Sequence, residues 1–200
     1  MEFLDAVRRR RMVRNFAPDP IDREVLERIA ATAQRAPSAG FSQGQRLLIV
    51  TDPATRRELA ALCGEQEMTA VGYDAWLRQA PAHFIPCVSE EVYHRRYREE
   101  DKLQDDGGEI DWPVPYWWMD VGATVLLVLL AAVDEGLAAG FAGADAAGYV
   151  RMHGLMGIPD EFKPVGVIPV GRPLPDKRSP SLARGWVASE EFARWDRWEV

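Results

Sequence analysis

The sequence predicts one globular domain in which helices alternate with a few short strands, and three observations lead to this prediction. The 200 residues include 47% hydrophobic and 28% charged side chains, a balance typical of a chain with an ordinary buried core. Apolar residues recur at helical spacing in several segments, whereas other segments are short and continuously apolar, as buried strands are. No internal repeat or linker interrupts the chain, so we expect a single domain over residues 1–200.

The N-terminal part is expected to contain helices and one strand. The expected elements are helices at 2–10 and 23–35, a strand at 47–51 and a helix from 53 to 63. Asp22 is expected to cap the second helix, after a proline-rich break. Asp52 and Pro53 together mark the start of the third, since a side-chain acceptor at the N-cap and a proline in the first turn both favour helix initiation.

The middle of the chain predicts a strand followed by a charged excursion. Residues 82–88 predict a strand, although Pro86 argues for an edge position or an irregularity. Residues 90–102 predict a helix, and residues 104–115 a loop rich in Gly, Asp and Pro. We interpret residues 90–115 as an excursion from the domain, with a lid as one interpretation, because long loops in small domains are usually functional or mobile.

The C-terminal part is expected to hold the most apolar helix. Residues 117–137 are apolar on every side, which predicts burial all round and, in a chain of this size, burial between subunits. Further expected elements are a small-residue loop at 140–144, a helix at 146–153, a strand at 165–170 and a proline-rich C-terminal extension at 171–182. Ser189 is expected to cap a short last helix.

Positive charge is concentrated at one point of an acidic chain. Residues 8–16, here called the arginine segment, contain five arginines, although the formal net charge is −7. A bound anion and a solvated charged surface are both consistent with this run. A nucleic-acid partner fits poorly, since proteins that bind phosphate backbones usually carry a broad basic face.

Most common catalytic motifs are missing from the sequence. The three histidines lie far apart with no metal-ligand spacing, and neither a nucleophile elbow nor a phosphate-binding loop is recognisable. The two cysteines suggest neither a disulfide framework nor a zinc site, which favours a cytoplasmic location. The longest apolar run, 121–133, falls short of the roughly 20 residues that a membrane span needs. A cofactor with its own reactivity is therefore the leading hypothesis.

Four separated segments resemble the nitroreductase family of FMN-dependent oxidoreductases, in the expected order. The segments are residues 10–16, 36–40, 120–141 and 155–173. The resemblance implies an α+β fold, with a small mixed β-sheet wrapped by helices. It also implies an intertwined homodimer with a long helix at the interface, C-terminal extensions that cross to the partner, and two FMN sites built from both chains.

The resemblance further implies which residues hold FMN. Arg10, Arg11 and Arg14 would contact the phosphate, ribityl chain and pyrimidine side, and Arg178 would join the phosphate, with Lys177 a weaker candidate. The 37–40 turn would come from the partner subunit, and the backbone N–H groups of 143 and 144 would face N5 and O4 of the flavin. The full implied set is Arg10, Arg11, Met12, Arg14, Pro37, Ser38, Ala39, Gly40, Gln66, Phe141, Gly143, Ala144 and Arg178. The flavin would carry the chemistry, so no catalytic side chain and no metal is expected.

The implied activity is a ping-pong reaction. NAD(P)H would reduce FMN, which would then reduce a flat nitroaromatic, quinone or similar acceptor. Two alternatives stay open: a non-catalytic flavin binder, and a flavin-cleaving relative that makes dimethylbenzimidazole, which Gly40–Phe41 also resembles. Met12 departs from the family's common Ser and from the Asp of the flavin-cleaving enzyme, and the missing carboxylate argues against flavin cleavage.

Overall fold

A five-stranded antiparallel sheet lies at the centre of the computed structural model, which describes residues 1–198. The helices are α1 (Phe3–Arg9), α2 (Arg23–Ala33), α3 (Pro53–Leu62), α4 (Glu65–Ala70), α5 (Trp76–Gln79), α6 (Glu90–Tyr97), α7 (Tyr116–Asp134), α8 (Ala146–Met156) and α9 (Ser189–Phe192). The strands are β1 (Gln45–Val50), β2 (Ala82–Val88), β3 (Ala138–Ala139), β4 (Lys163–Pro164) and β5 (Ile168–Gly171), and short 3-10 turns span Ala39–Phe41 and Pro180–Arg184. The expected α+β fold is confirmed.

The strand order is β1-β2-β5-β3, with β4 beside β2. Each strand pair is antiparallel, and the parallel pairing that a mixed sheet implies is limited to one isolated bridge, between Met12 and Ala139, among the described residues. Of the predicted 165–170 strand, only residues 168–170 are in a strand, as part of β5, and neither β3 nor β4 was predicted.

Pro86 does not lie on an edge strand, because β2 is buried along its whole length in the middle of the sheet. The irregularity is confirmed instead. The Pro86 carbonyl accepts a hydrogen bond from the Val165 N–H at 2.9 Å, where the neighbouring chain is interrupted between Pro164 and Ile168. In an antiparallel sheet the backbone N and O of a residue point towards the same neighbouring strand. The proline nitrogen, which cannot donate a hydrogen bond, therefore faces this interruption.

Two of the three predicted helix N-caps lie where the sequence placed them, and one does not. Asp52 accepts the Thr55 N–H at 2.7 Å, and Pro53 opens α3, as predicted. Asp22 occupies the N-cap position of α2, as predicted, but its side chain makes no capping hydrogen bond. The prediction for Ser189 is wrong by one residue, since Ala188 occupies the N-cap and Ser189 is the first helical residue.

Helix α7 packs one face on α2 and the sheet and leaves the other face open. Val121, Val128 and Ala132 are buried, whereas Trp118, Met119 and Leu126 are 44%, 61% and 49% exposed. One chain therefore leaves part of the helix uncovered, and the expected burial of this face between subunits stays a prediction. With 19 residues and a mean hydropathy of 1.8, α7 is long and apolar enough to span a membrane, but this is weak evidence because core helices pass the same test.

The excursion folds back onto α6. Helix α6 ends at Tyr97 rather than at 102, and the chain from 98 to 115 contains turns and bends but no helix or strand. The Trp112 ring packs against Tyr97, with 4.6 Å between ring centroids, and its indole N–H donates to Glu109 at 2.6 Å. Movement as a lid stays a prediction.

Candidate functional site

The arginine segment leaves the helix and becomes an extended chain beside the sheet. Helix α1 ends at Arg9, so Arg10 and Arg14 do not share a helix face. The Val13 N–H donates to the Ala139 carbonyl at 3.1 Å, and Asn15 accepts the N–H of Leu174 at 3.0 Å. The segment therefore lies between β3 and the C-terminal extension.

Asp176 fastens the C-terminal extension to the arginine segment. Its carboxylate accepts the Arg14 N–H at 2.9 Å and lies 3.5 Å from the Arg11 guanidinium, with a side chain only 6% exposed. The Asn15 amide adds a hydrogen bond to the Pro175 carbonyl at 2.8 Å. Sequence reasoning missed Asp176, and its only signal was a lone acid directly before Lys177 and Arg178.

The Arg14 guanidinium lies beside two aromatic rings. It is 5.7 Å from the ring centroid of Tyr73 and 5.9 Å from that of Trp76, and the residue is half-buried. Trp76 is buried against Gly140, where an added Cβ would lie 2.8 Å from the indole and 2.5 Å from the Val13 carbonyl oxygen. Glycine at 140 therefore lets the 140–144 loop cross the arginine segment closely.

The 140–144 loop presents two free backbone donors. Ala142 exchanges two backbone hydrogen bonds with Val167, at 2.8 and 2.9 Å, and Asp145 then caps α8 by accepting the Gly148 N–H. Between these anchors, the N–H groups of Gly143 and Ala144 donate to no protein acceptor in residues 1–198.

The ring of Phe141 lies over Gly166 and packs towards the sheet. The predicted role of Phe141 therefore depends on its backbone more than on its ring.

Several cations at this site have no acidic partner. Within the described chain, the guanidinium groups of Arg10, Arg14 and Arg178 lie more than 4.0 Å from every carboxylate, whereas that of Arg11 pairs with Asp176. Met12 is 38% exposed beside Ala139 and offers a thioether in place of a hydroxyl. The arginine segment crosses the 140–144 loop at Gly140 and carries guanidinium groups without an acidic partner. Such groups suit a ligand with an anionic tail.

The 37–40 turn is held elsewhere in the same chain, by α6 and the first turns of α7. The Ala39 N–H and the Tyr93 hydroxyl both donate to the Asp120 carboxylate at 2.9 Å. Burial, with the Asp120 hydrogen bond, raises the pKa of Tyr93, so the hydroxyl stays protonated. Gly40 has φ +60°, and an added Cβ would lie 2.5 Å from the Tyr97 ring.

Two further implied residues of this turn have contacts of their own. Ser38 accepts the Gln43 N–H at 2.9 Å through its hydroxyl oxygen. Pro37 accepts from the Gln45 side chain at 3.0 Å.

Within one chain, α7 separates the 37–40 turn from the arginine segment. The turn contacts Asp120 near the start of α7, whereas Arg11 lines a small cavity of about 190 Å³ together with Val133 near its end. Thirteen residues of helix rise about 20 Å. The structure thus brings the arginine segment, the 140–144 loop and the C-terminal extension together but leaves the 37–40 turn at the far end of α7.

Gln66 lies on the exposed side of α4, the helix that leads into the Tyr73 loop, and its side chain makes no hydrogen bond in the described residues. Its predicted contact with the flavin stays a prediction.

The described residues offer no separate metal or thiolate chemistry. No group of three or more His, Cys, Asp or Glu side chains in residues 1–198 is arranged to hold a metal ion. Burial raises the pKa of both Cys63 and Cys87 to about 12, so neither is a thiolate at neutral pH.

Comparisons with known proteins agree with this fold. The sequence model described as "Nitroreductase family" matches residues 7–172. The chain is 27% identical over 175 residues to an NADH dehydrogenase of Thermus thermophilus, covering 84% of this chain and 85% of that one. It is 44% identical over 57 residues to a 5,6-dimethylbenzimidazole synthase of Rhodobacter capsulatus, which is only 28% of the length of either protein.

A solved structure extends the agreement in fold. The NADPH:FMN oxidoreductase of Vibrio harveyi, complexed with NAD⁺, superimposes with a TM-score of 0.75 at 20% identity, covering 99% of this chain and 78% of that one. Because the family model covers most of the sequence and the folds agree, the chain belongs to the nitroreductase family.

Proposed function

We propose that the protein is an FMN-dependent oxidoreductase that takes reducing equivalents from NAD(P)H and passes them to nitroaromatics, quinones or similar flat, electron-poor acceptors. The observation that carries this proposal is the set of unpaired guanidinium groups on the arginine segment, which crosses, at Gly140, the loop that holds the two free N–H groups of Gly143 and Ala144. Family membership and the NADPH:FMN oxidoreductase fold of a neighbour support it.

The residues present fit an FMN molecule. Arg10 and Arg178 have no carboxylate partner in the described chain, and guanidinium groups match phosphate oxygens with paired N–H donors. The amides of Gly143 and Ala144 would orient the ring edge at N5 and O4. Arg14 would place a positive charge beside the pyrimidine edge, where it would favour added negative charge.

When bound, FMN would supply the redox chemistry, accepting a hydride from NAD(P)H and passing it to the acceptor in ping-pong order. The protein would position both partners in turn and limit the access of water. Stacking on a ring selects for flatness, so this proposal names an acceptor class and leaves the choice between NADH and NADPH open.

The active unit is proposed to be a homodimer. The 37–40 turn lies about 20 Å along α7 from the arginine segment, so one chain cannot place both against the same ring. A second copy packed on the open face of α7 would supply the turn, and Trp118, Met119 and Leu126 provide apolar surface for that contact. We propose a cytoplasmic location from the two free cysteines.

A flavin-cleaving activity is the second candidate, favoured by the match to the dimethylbenzimidazole synthase. Met12 brings a thioether where the resemblance placed a carboxylate in that enzyme, which disfavours this alternative. Incubation of reduced, FMN-loaded protein with air separates the two: recovery of intact FMN supports the oxidoreductase, and accumulation of dimethylbenzimidazole supports cleavage.

The proposal is tested by removing two of the arginines. The R10A/R14A double variant should lose most bound FMN, since each charge-assisted hydrogen bond contributes about 1.5–3 kcal/mol. The R23A/R57A variant removes the same charge from the exposed surfaces of α2 and α3 and should keep its flavin. Stoichiometric FMN in R10A/R14A would remove these arginines from the site.

Turnover distinguishes an enzyme from a flavin carrier. NADH or NADPH should bleach the flavin absorbance of the wild-type protein without air, and a nitroarene should restore it. A yellow protein that neither nucleotide reduces would contradict the oxidoreductase proposal and support a non-catalytic flavin binder.

A further inference from the structure

Tyr73 lies in the loop between α4 and α5, at the edge of the candidate site. The loop is fixed by its own backbone, since the N–H of Tyr73 donates to the Met68 carbonyl at 3.2 Å and that of Gly72 to the Thr69 carbonyl at 3.0 Å. The Tyr73 side chain is half-buried. Its ring therefore presents a rigid aromatic surface to whatever lies beside it.

Two cations from distant parts of the chain lie against this ring. The Arg14 guanidinium is 5.7 Å from the ring centroid, and the Lys177 ammonium is 5.1 Å from it. Lys177 also donates to the Val71 carbonyl at 2.8 Å. Like charges repel, so their joint presence depends on attractive partners, and the ring quadrupole is one that both share.

We infer that Tyr73 is a positioning residue that holds Arg14 and the Lys177–Arg178 pair in register at the proposed FMN site, an inference that rests on the proposed function. Arg14 would face the pyrimidine edge, whereas Lys177 precedes Arg178, a proposed phosphate contact. One ring thus sets the spacing between the charge beside the redox centre and the charge beside the phosphate.

The aromatic face of Tyr73, and not its hydroxyl, carries this role. In the described residues the hydroxyl makes no hydrogen bond, so phenylalanine retains both cation contacts. Trp76 cannot replace Tyr73, because it is buried against Gly140 and contacts Arg14 but not Lys177.

The test compares Y73L with the matched control Y73F, using flavin-free protein titrated with FMN and with riboflavin. Y73F should bind FMN like the wild type. Y73L should bind FMN about tenfold more weakly, in line with the loss of two cation–π contacts. Riboflavin, which lacks the phosphate, should lose less affinity. The midpoint potential of the bound flavin should become more negative in Y73L, because Arg14 no longer holds its charge at the pyrimidine edge.

The outcomes separate this inference from the function on which it rests. Wild-type FMN affinity and potential in Y73L would overturn the role of Tyr73 alone. A Y73L protein with a lower melting temperature but an unchanged FMN-to-riboflavin ratio and potential would also overturn it, since that is the pattern of a merely structural residue. A wild-type protein that binds neither flavin would overturn the proposed function and the inference together.

Discussion

His83 lies fully buried in the central strand β2, and within the described residues only one of its two ring nitrogens makes a hydrogen bond. Its Nε2–H donates to the Leu77 carbonyl at 2.7 Å, and within the described residues its Nδ1 has no partner. Burial lowers the pKa of His83 to about 4, with nearby Arg56 acting in the same direction and the Leu77 contact opposing it. The folded protein therefore keeps this ring neutral.

This burial predicts a loss of stability in mild acid. Above pH 6.5 the ring is neutral in both states, but between pH 6.5 and about 4 only the unfolded chain takes up the proton. The free energy of unfolding should fall by up to about 1.4 kcal/mol per pH unit in this window from His83 alone. Denaturant unfolding at several pH values should show that the free energy of unfolding falls less steeply with decreasing pH in H83Q than in the wild type. Parallel curves for H83Q and the wild type would contradict the prediction.

Single residues also show where sequence reasoning succeeds and where it stops. The Asp52 cap was predictable because the acceptor and its donor, Thr55, are three residues apart. The contact of Asp176 was not predictable, because the residue that it binds, Arg14, lies 162 positions away in the sequence. Tyr73 was missed for the same reason: its two cations come from opposite ends of the chain.

At the scale of elements, α6 and the excursion that follows it act as one unit. Glu109 accepts hydrogen bonds from Trp112 and His94 and pairs with Arg98 at 2.9 Å. Burial of Glu109 opposes ionisation, but these hydrogen bonds outweigh it and lower the pKa of the carboxyl. The sequence predicted the irregular loop from its Gly, Asp and Pro content, but not its anchoring, since the loop has no periodicity to identify its inward residues.

Removing the anchor should release the loop. Trp112 makes aromatic contacts with several neighbours, each worth about 0.5–1.5 kcal/mol, including Tyr93 and Tyr97. W112A should increase backbone hydrogen exchange in residues 98–115, measured by mass spectrometry, while β2 stays protected. W112F keeps an aromatic ring but loses the hydrogen bond to Glu109, so its exchange should be intermediate. Unchanged exchange in W112A would show that the loop is held without Trp112.

At the scale of the whole molecule, apolar surface remains open on one chain. It includes one face of α7 and, on the C-terminal tail, Trp186, Phe192 and Trp195. Contiguous exposed apolar surface usually marks an interaction site. Together with the separation of the 37–40 turn from the arginine segment, this supports the proposed homodimer.

The dimer proposal predicts that one charge on α7 removes both assembly and flavin. L126E places a carboxylate on the open face, and burying an unpaired charge in an apolar interface is strongly unfavourable. Light scattering after size-exclusion chromatography should report a monomer, with FMN lost because the 37–40 turn of the second copy is absent. L103E, in the excursion loop, serves as the control and should stay dimeric and yellow. A flavin-loaded L126E dimer would place the interface elsewhere.

The sequence by itself determined most of the longer helices and strands, the N-caps of α2 and α3, and the family. Helix periodicity, the apolar strands and the α3 cap are short-range properties, written in residues within a few positions of one another. The arginine segment and the three other family segments were likewise readable as local motifs, and the match over residues 7–172 confirms the family.

Only the tertiary structure decided how the parts of the site are arranged. It showed that Asp176 and Tyr73 join the two ends of the chain, that β2 is central despite Pro86, and that α7 keeps an open face. These facts depend on contacts between residues far apart in sequence, whose pairing is set by how helices and strands pack together. Local sequence patterns do not specify that packing. The spacing of the charges around the proposed flavin therefore could not be predicted from the sequence.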